Sequence, residues 1–222
     1  MSTKHSGPIS LDKAALDKVT GGFGSFVEGT GGNDEIVTGS GNDVIFGEGG
    51  DDTITTGSGV DLLMGGDGND HLLGGGDSDY LAGSAGSDVL SGDAGDDLLE
   101  GGQGSDLLNG GDGNDFIDGG AGDGASDFAL GGAGNDLFIW GPGDGSDRFA
   151  GSFGQDQIVL LGLTPAQVLA GISLSEGGTL VFDAEGVGTV IGPDGRPASF
   201  SGTLSIGGET LTFNRMESIR VT

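Results

Sequence analysis

The chain contains no cysteine, so disulfides, thiolate metal sites and a cysteine nucleophile are all excluded. It has two histidines, His5 and His71, too few and too far apart to build a zinc or copper site. Lys and Arg together number 7 of 222 residues, and none lies between Lys18 and Arg148. Nucleic-acid binding requires clustered bases to neutralise phosphate, so no nucleic-acid partner is expected. An anionic lipid surface has as little to attract it. No apolar run approaches the roughly 18 residues of a membrane span, so no membrane insertion is expected either. The N-terminus lacks the apolar core of a secretory signal peptide. There is no Walker motif and no HExxH. Carboxylates are so frequent that no pair of them singles out an acid–base centre. Catalysis is therefore not expected.

The chain is rich in glycine and acid. Glycine supplies 53 residues, yet prolines number 5 and no Gly-X-Y period exists, which excludes a collagen helix. Acids total 35, the formal net charge is -28, and 25 of the acids lie between Gly29 and Asp147. Self-repulsion of that segment opposes compaction, and high charge with few apolar residues ordinarily gives disorder. Here 34 % of residues are hydrophobic and their placement is periodic. A folded polyanion of this kind calls for a multivalent cation.

The period is nine residues. Frames reading Gly-Gly-x-Gly-x-Asp-x-(Leu/Ile)-x begin at Gly29, Thr38, Gly47, Thr56, Gly65, Gly74, Gly83, Gly92, Gly101, Gly110, Gly119 and Gly131. The frame at Gly119 carries three extra residues. Two more follow Ile139, after which Pro142–Ala150 and Gly151–Val159 return to register. Position six is Asp in every frame, and position eight is always apolar, from Ile36 to Ile158, with Ala129 the smallest. Nine residues are too few for a helical hairpin. They suffice for a tight glycine loop and a three-residue strand that turns position eight to one face. A local packing defect is expected at Ala129.

Two flanking segments frame this array, giving the division 1–28, 29–158 and 159–222. In the first, Ser10 caps an expected short helix carrying Leu11, Ala15, Leu16 and Val19, which Gly21-Gly22 ends. The helix would cover the open end of the roll. Residues Leu11, Leu16, Val19 and Gly21-Gly22 also resemble a double-glycine leader of exported peptides, which implies cleavage after Gly22. Thr20 to Glu28 reads as a degenerate frame, with Val27 in the apolar slot and Ser25 in place of the aspartate. In the last segment, Thr164-Pro165 starts a helix. Strands are predicted at 172–174, 179–182, 189–191, 198–200, 203–206 and 210–213, a small antiparallel β cap.

An aspartate at a fixed place after a glycine loop suits a hard cation. Calcium takes six to eight oxygens from carboxylates and carbonyls, whereas magnesium demands stricter geometry. The alternative is a metal-free solenoid with aspartates as loop formers. Against it, uncompensated aspartate ladders at a strand spacing of about 4.8 Å would repel strongly.

The array resembles the RTX (repeats-in-toxin) nonapeptide family, GGxGxDxUx, over about 130 residues. The resemblance implies an all-β right-handed parallel β-roll. Two frames form one coil, so each frame stacks on the next but one, with calcium between stacked loops. The implied ligands are Asp34, Asp43, Asp52, Asp61, Asp70, Asp79, Asp88, Asp97, Asp106, Asp115, Asp127 and Asp136. They would form at most about ten Ca2+ sites, and ten divalent ions would leave a net charge of about -8. The extra residues near Asp123 to Ala125 are expected to bulge and disturb the site at Asp127. Asp147 and Asp156 lie in atypical frames and are left out of the set. The resemblance further implies type I secretion through an ABC-type exporter, with Glu217 to Val221 in the region of the C-terminal signal, and folding on contact with extracellular calcium. The role outside the cell is then structural, at the surface or in a matrix, and not catalytic. The alternatives are an accessory module of a secreted enzyme and a calcium-bridged module for surface or matrix polysaccharide.

Overall fold

A computed structural model of the chain describes residues 19–20 and 24–222. The helix expected from Ser10 lies outside the described residues up to residue 18, as does the leader cleavage point at Gly22. Val19, the last apolar residue assigned to that helix, is in a strand with Thr20 that pairs in parallel with Glu35–Val37.

The nine-residue frames become strands that alternate between two eleven-stranded sheets. One sheet takes Glu35–Val37, Thr53–Thr55, His71–Gly76, Val89–Ala94, Leu107–Asp112, Phe128–Ala133 and Arg148–Phe153, paired in parallel in that order. The other takes Phe26–Thr30, Val44–Gly49, Leu62–Asp67, Tyr80–Ala85, Leu98–Gln103, Phe116–Asp118, Leu137–Trp140 and Gln157–Leu160. Consecutive frames therefore face each other, and every second frame stacks: Ile36 lies beside Ile54, and Ile45 beside Leu63. This is the parallel β-roll of the expectation.

The core is two files of position-eight side chains. From Ile36 to Phe149 in one sheet and Val27 to Ile158 in the other, none is more than 2 % exposed. Burying each such side chain contributes roughly 1.5–3 kcal/mol. Val27 takes the apolar slot of the degenerate frame and stacks on Ile45. Many strands are six residues long, not three, because positions one to three of the next frame continue the ladder. The three-residue insertion shifts the stacking from Leu108 to Ala129 without breaking the sheet. Ala129 is fully buried beside Phe149, whose ring stacks on Phe138 at 4.6 Å and 7°. A stacked ring pair thus begins next to the smallest position-eight residue. Trp140 is also fully buried, and its Nε1 donates to the Gly145 carbonyl at 3.3 Å.

Past Leu160 the chain leaves the roll and returns to it. A helix, Pro165–Gly171, starts at Thr164 with a complete capping box to Gln167 and buries Val168. Ile172–Leu174 and Phe200–Ile206 pair antiparallel at the end of one sheet, and Thr179–Phe182 and Val187–Ile191 at the end of the other. Glu209–Met216 and Ser218–Val221 join these pairs to the roll. Each adds in parallel to the last array strand of its sheet, placing Phe213 on Phe149 and Ile219 on Ile158. The antiparallel cap is thereby continuous with the roll.

Candidate metal centres

Stacking by eighteen residues sorts the position-six aspartates into two files. One runs Asp34, Asp52, Asp70, Asp88, Asp106, Asp127, Asp147. The other runs Asp43, Asp61, Asp79, Asp97, Asp115, Asp136, Asp156. Each aspartate N–H donates to Oδ1 of the next in its file, at 2.7–3.0 Å. None of the fourteen is more than 5 % exposed. The insertion does not displace Asp127, which accepts from Asp106 and donates to Asp147 at 2.9 and 2.8 Å. Asp147 and Asp156, omitted in reading the sequence, occupy the same place as the others.

One oxygen per carboxylate is thus committed. The second is not. Oδ2 of Asp43, Asp52, Asp61, Asp70, Asp79, Asp88, Asp97, Asp106, Asp115, Asp127, Asp136 and Asp156 is buried without a hydrogen-bond partner. Leaving so many buried acceptors unmatched is unusual for a native protein and points to a missing ligand. The oxygens gather beside the glycine at position one. A Cβ on Gly101 would fall 2.4 Å from Asp106 Oδ2 and 2.3 Å from the Gly119 carbonyl oxygen. At Gly83 the corresponding distances are 2.2 Å to Asp88 Oδ2 and 2.6 Å to the Gly101 carbonyl oxygen. Glycine here lets a carboxylate oxygen and a carbonyl of the next coil approach the backbone more closely than any Cβ would allow, so the two oxygens meet at one place. Among the described residues no three His, Cys, Asp or Glu groups converge, so backbone carbonyls would complete the donor set. All donors are oxygen, which fits calcium.

Electrostatics agrees with a cation at these points. Burial, reinforced by stacked neighbours, pushes the carboxyls of Asp52, Asp79, Asp106, Asp136 and Asp147 up to about 7, against a backbone N–H that lowers them. Asp88, Asp115 and Asp127 rise to about 6, again chiefly by burial. Burial also raises Asp61, Asp70, Asp97 and Asp156. A bound cation would offset the loss of water around each carboxylate.

The cradles are not uniform. Asp34 Oδ2 already accepts from Thr30 N–H at 2.7 Å and from the Thr30 hydroxyl at 3.1 Å. Position one is Thr38 in the Asp43 frame and Thr56 in the Asp61 frame. The Thr56 hydroxyl donates to the Gly74 carbonyl at 2.6 Å, a carbonyl of the kind that borders the other cradles. Pro142 fills position one in the Asp147 frame. Loop shape tolerates other departures from glycine. Glu48, Ser84, Asp93 and Ser152 at position two, and Asp77 at position four, adopt φ of 73–84°. Asp77 therefore keeps its loop, as its ability to enter the left-handed region suggests.

Sequence reasoning missed two features. Position-five side chains form exposed files along the loops: Asn33 Oδ1 accepts from Asp51 N–H at 2.9 Å, and Asp51 Oδ1 from Asn69 N–H at 2.9 Å. The prevalence of Asn, Asp and Ser at that position was the available signal. Glu217 accepts the N–H of Asp156 at 2.7 Å, extending a file into the C-terminal segment. His71 is exposed on a strand, away from any cradle.

The family model for the RTX calcium-binding nonapeptide repeat matches four times, over residues 28–63, 55–90, 91–125 and 142–159. No curated protein matches the chain. With the matches spanning just over half of its length, and a parallel roll whose loops line up buried aspartates, this chain belongs to the RTX calcium-binding repeat family and binds calcium.

Proposed function

We propose that the protein is an exported, non-catalytic calcium-binding protein that folds on meeting extracellular calcium and serves a structural, surface or matrix role. The observation that carries this reading is the file of buried, unpartnered Oδ2 atoms packed against position-one glycines. Nine array frames combine an unpartnered Oδ2 with a glycine at position one, those of Asp52, Asp70, Asp79, Asp88, Asp97, Asp106, Asp115, Asp127 and Asp136. Asp34, Asp43 and Asp61 hold altered positions, with a threonine in or beside the cradle.

The ions supply positive charge where the chain is most acidic. Each aspartate holds its neighbour's backbone through Oδ1 and offers Oδ2 inward, so filling one cradle braces two coils. Metal affinity then becomes folding free energy, and neighbouring coils fold together. At the submicromolar calcium inside a cell, repulsion among the acids favours the open chain that a type I, ABC-type exporter would carry. Among the described residues no helix is long and apolar enough to cross a membrane.

Circular dichroism of the full chain during a calcium titration tests the reading. Coil should give way to β structure with calcium and not with equal magnesium. A spectrum already folded in chelator, and indifferent to calcium, would exclude the switch. Hydrolase and glycan-binding screens of the folded protein address the alternatives of an enzyme accessory module and a polysaccharide-binding module.

A further inference from the structure

The aspartate file ending at Asp156 continues one step beyond the periodic sequence. Asp156 is 1 % exposed, and its Oδ2 is buried without a partner. Its N–H donates to Glu217 Oε2 at 2.7 Å, the bond that the next aspartate's Oδ1 receives elsewhere in the file. Position one of its frame is Gly151. A Cβ there would lie 2.1 Å from Asp156 Oδ2 and 2.7 Å from the Arg215 carbonyl oxygen. At Gly110, inside the array, the same distances are 2.1 Å to Asp115 Oδ2 and 2.7 Å to the Gly131 carbonyl oxygen. The cradle is therefore of array type, although one wall comes from a segment with no repeat in it.

Local backbone makes this possible. Asn214 pairs with Ala150, so Arg215 falls beside Gly151. Arg215 has φ of 55°, rare for a non-glycine residue. Its guanidinium lies over the Phe153 ring at 6.0 Å and reaches the Ser152 carbonyl at 3.4 Å, outside the cradle. Glu217 is half-buried and borders a cleft together with Asp136, Gln155 and Ser199. The cleft leaves this end of the roll accessible from solvent.

We propose that Asp156, the Arg215 carbonyl and Glu217 form a further calcium site that fastens the C-terminal strand Ser218–Val221 to the roll. The proposal rests on the calcium reading of the array. It adds that one ion bridges the last array frame and the returning C-terminal segment, so that calcium also controls docking of that segment. Asp156 Oδ2 and the Arg215 carbonyl are the ligands. Glu217 positions Asp156 and supplies the second negative charge.

Native mass spectrometry of the full chain in calcium, with hydrogen exchange of Ser218–Val221, tests this. Asp156→Asn should bind one ion fewer and lose the calcium-dependent protection of that strand, while the array keeps its calcium-induced β signal. Glu217→Gln keeps an acceptor for the Asp156 N–H and should weaken the same ion and the same protection if Asp156→Asn folds poorly. Asp97→Asn, in mid-array, should lose an ion and leave Ser218–Val221 protected. An unchanged ion count with unchanged protection in both Asp156→Asn and Glu217→Gln overturns the proposal and leaves the array reading intact. Absence of calcium uptake by the parent chain overturns both.

Discussion

The array and the segment from Leu161 to Thr222 build one continuous pair of sheets by different means. In the array each frame contributes one buried apolar side chain, one buried carboxylate and a glycine-rich loop. In the C-terminal segment Val168, Leu180, Val190, Phe200, Leu204 and Leu211 form an ordinary apolar core, with a helix capped by Thr164 and Gln167. Among the described residues, twelve aspartate oxygens without partners belong to the array files, the last of them at the junction. The array is narrow and carries its charge inside, so its stability depends on what occupies the loops. The capping segment has the composition of a conventional domain and meets the aspartate files only at its junction with the roll.

Acid should expose this difference most strongly. Without a bound cation, burial raises the carboxyls of Asp52, Asp79, Asp106 and Asp136 to about 7 and that of Asp88 to about 6, above the usual value near 4. The folded state therefore favours the protonated form. That contribution to stability is fully present below about pH 4 and is lost as pH rises through about 6 to 7. Lowering pH from about 8 towards 4 without calcium should thus increase β structure and urea resistance. A decrease on acidification would show that the buried carboxyls do not govern the array.

Core truncation comes next. Leu99→Ala, at a fully buried position inside the array, should cost about 2–5 kcal/mol in the calcium-loaded protein. Because each coil is held only by its neighbours, urea melts should show coils on both sides losing cooperativity. Leu180→Ala, on the last strand of its sheet and 6 % exposed, should fall at the low end of that range and leave the calcium titration unchanged. Equal effects on the titration would erase the distinction between the two regions.

A pair of glycines sharpens it further. Gly101→Ala places a methyl 2.3 Å from the Gly119 carbonyl and 2.4 Å from Asp106 Oδ2. It should remove one ion from the native mass spectrum and shift the calcium midpoint upward. Gly177→Ala has φ of 76° but nothing within 4 Å of the new methyl. It should cost about 1 kcal/mol through backbone strain and leave the ion count alone. Smallest is Thr164→Ala, which loses a helix cap worth about 1 kcal/mol, with no change in calcium response by dichroism or calorimetry.

Much of the roll was legible because its determinants are local and repeated. The nine-residue period sets the strands and the buried slot of every frame, down to Val27 and Ser25 in the degenerate one, and the resemblance to RTX repeats adds the stacking of alternate frames. Thr164-Pro165 marks the helix for the same reason. The return of the chain to the roll was not legible. Phe213 and Ile219 occupy successive core slots but stand six residues apart, because the glycine loop between them is cut to Arg215, Met216 and Glu217. A search for period nine passes over them, and Glu217 goes with them. The threonines at positions 38 and 56 were visible as deviations. Their consequence was not, since it depends on which way position one faces, and only the stacked coils determine that.

Calcium titration of the full chain, with β content followed by circular dichroism and bound ions counted by native mass spectrometry, tests the central claim most directly. A cooperative coil-to-β transition should accompany uptake of about ten ions, nine in the array and one at Asp156. A chain that reaches its full β content in chelator, or that takes up calcium without any change in structure, would contradict it.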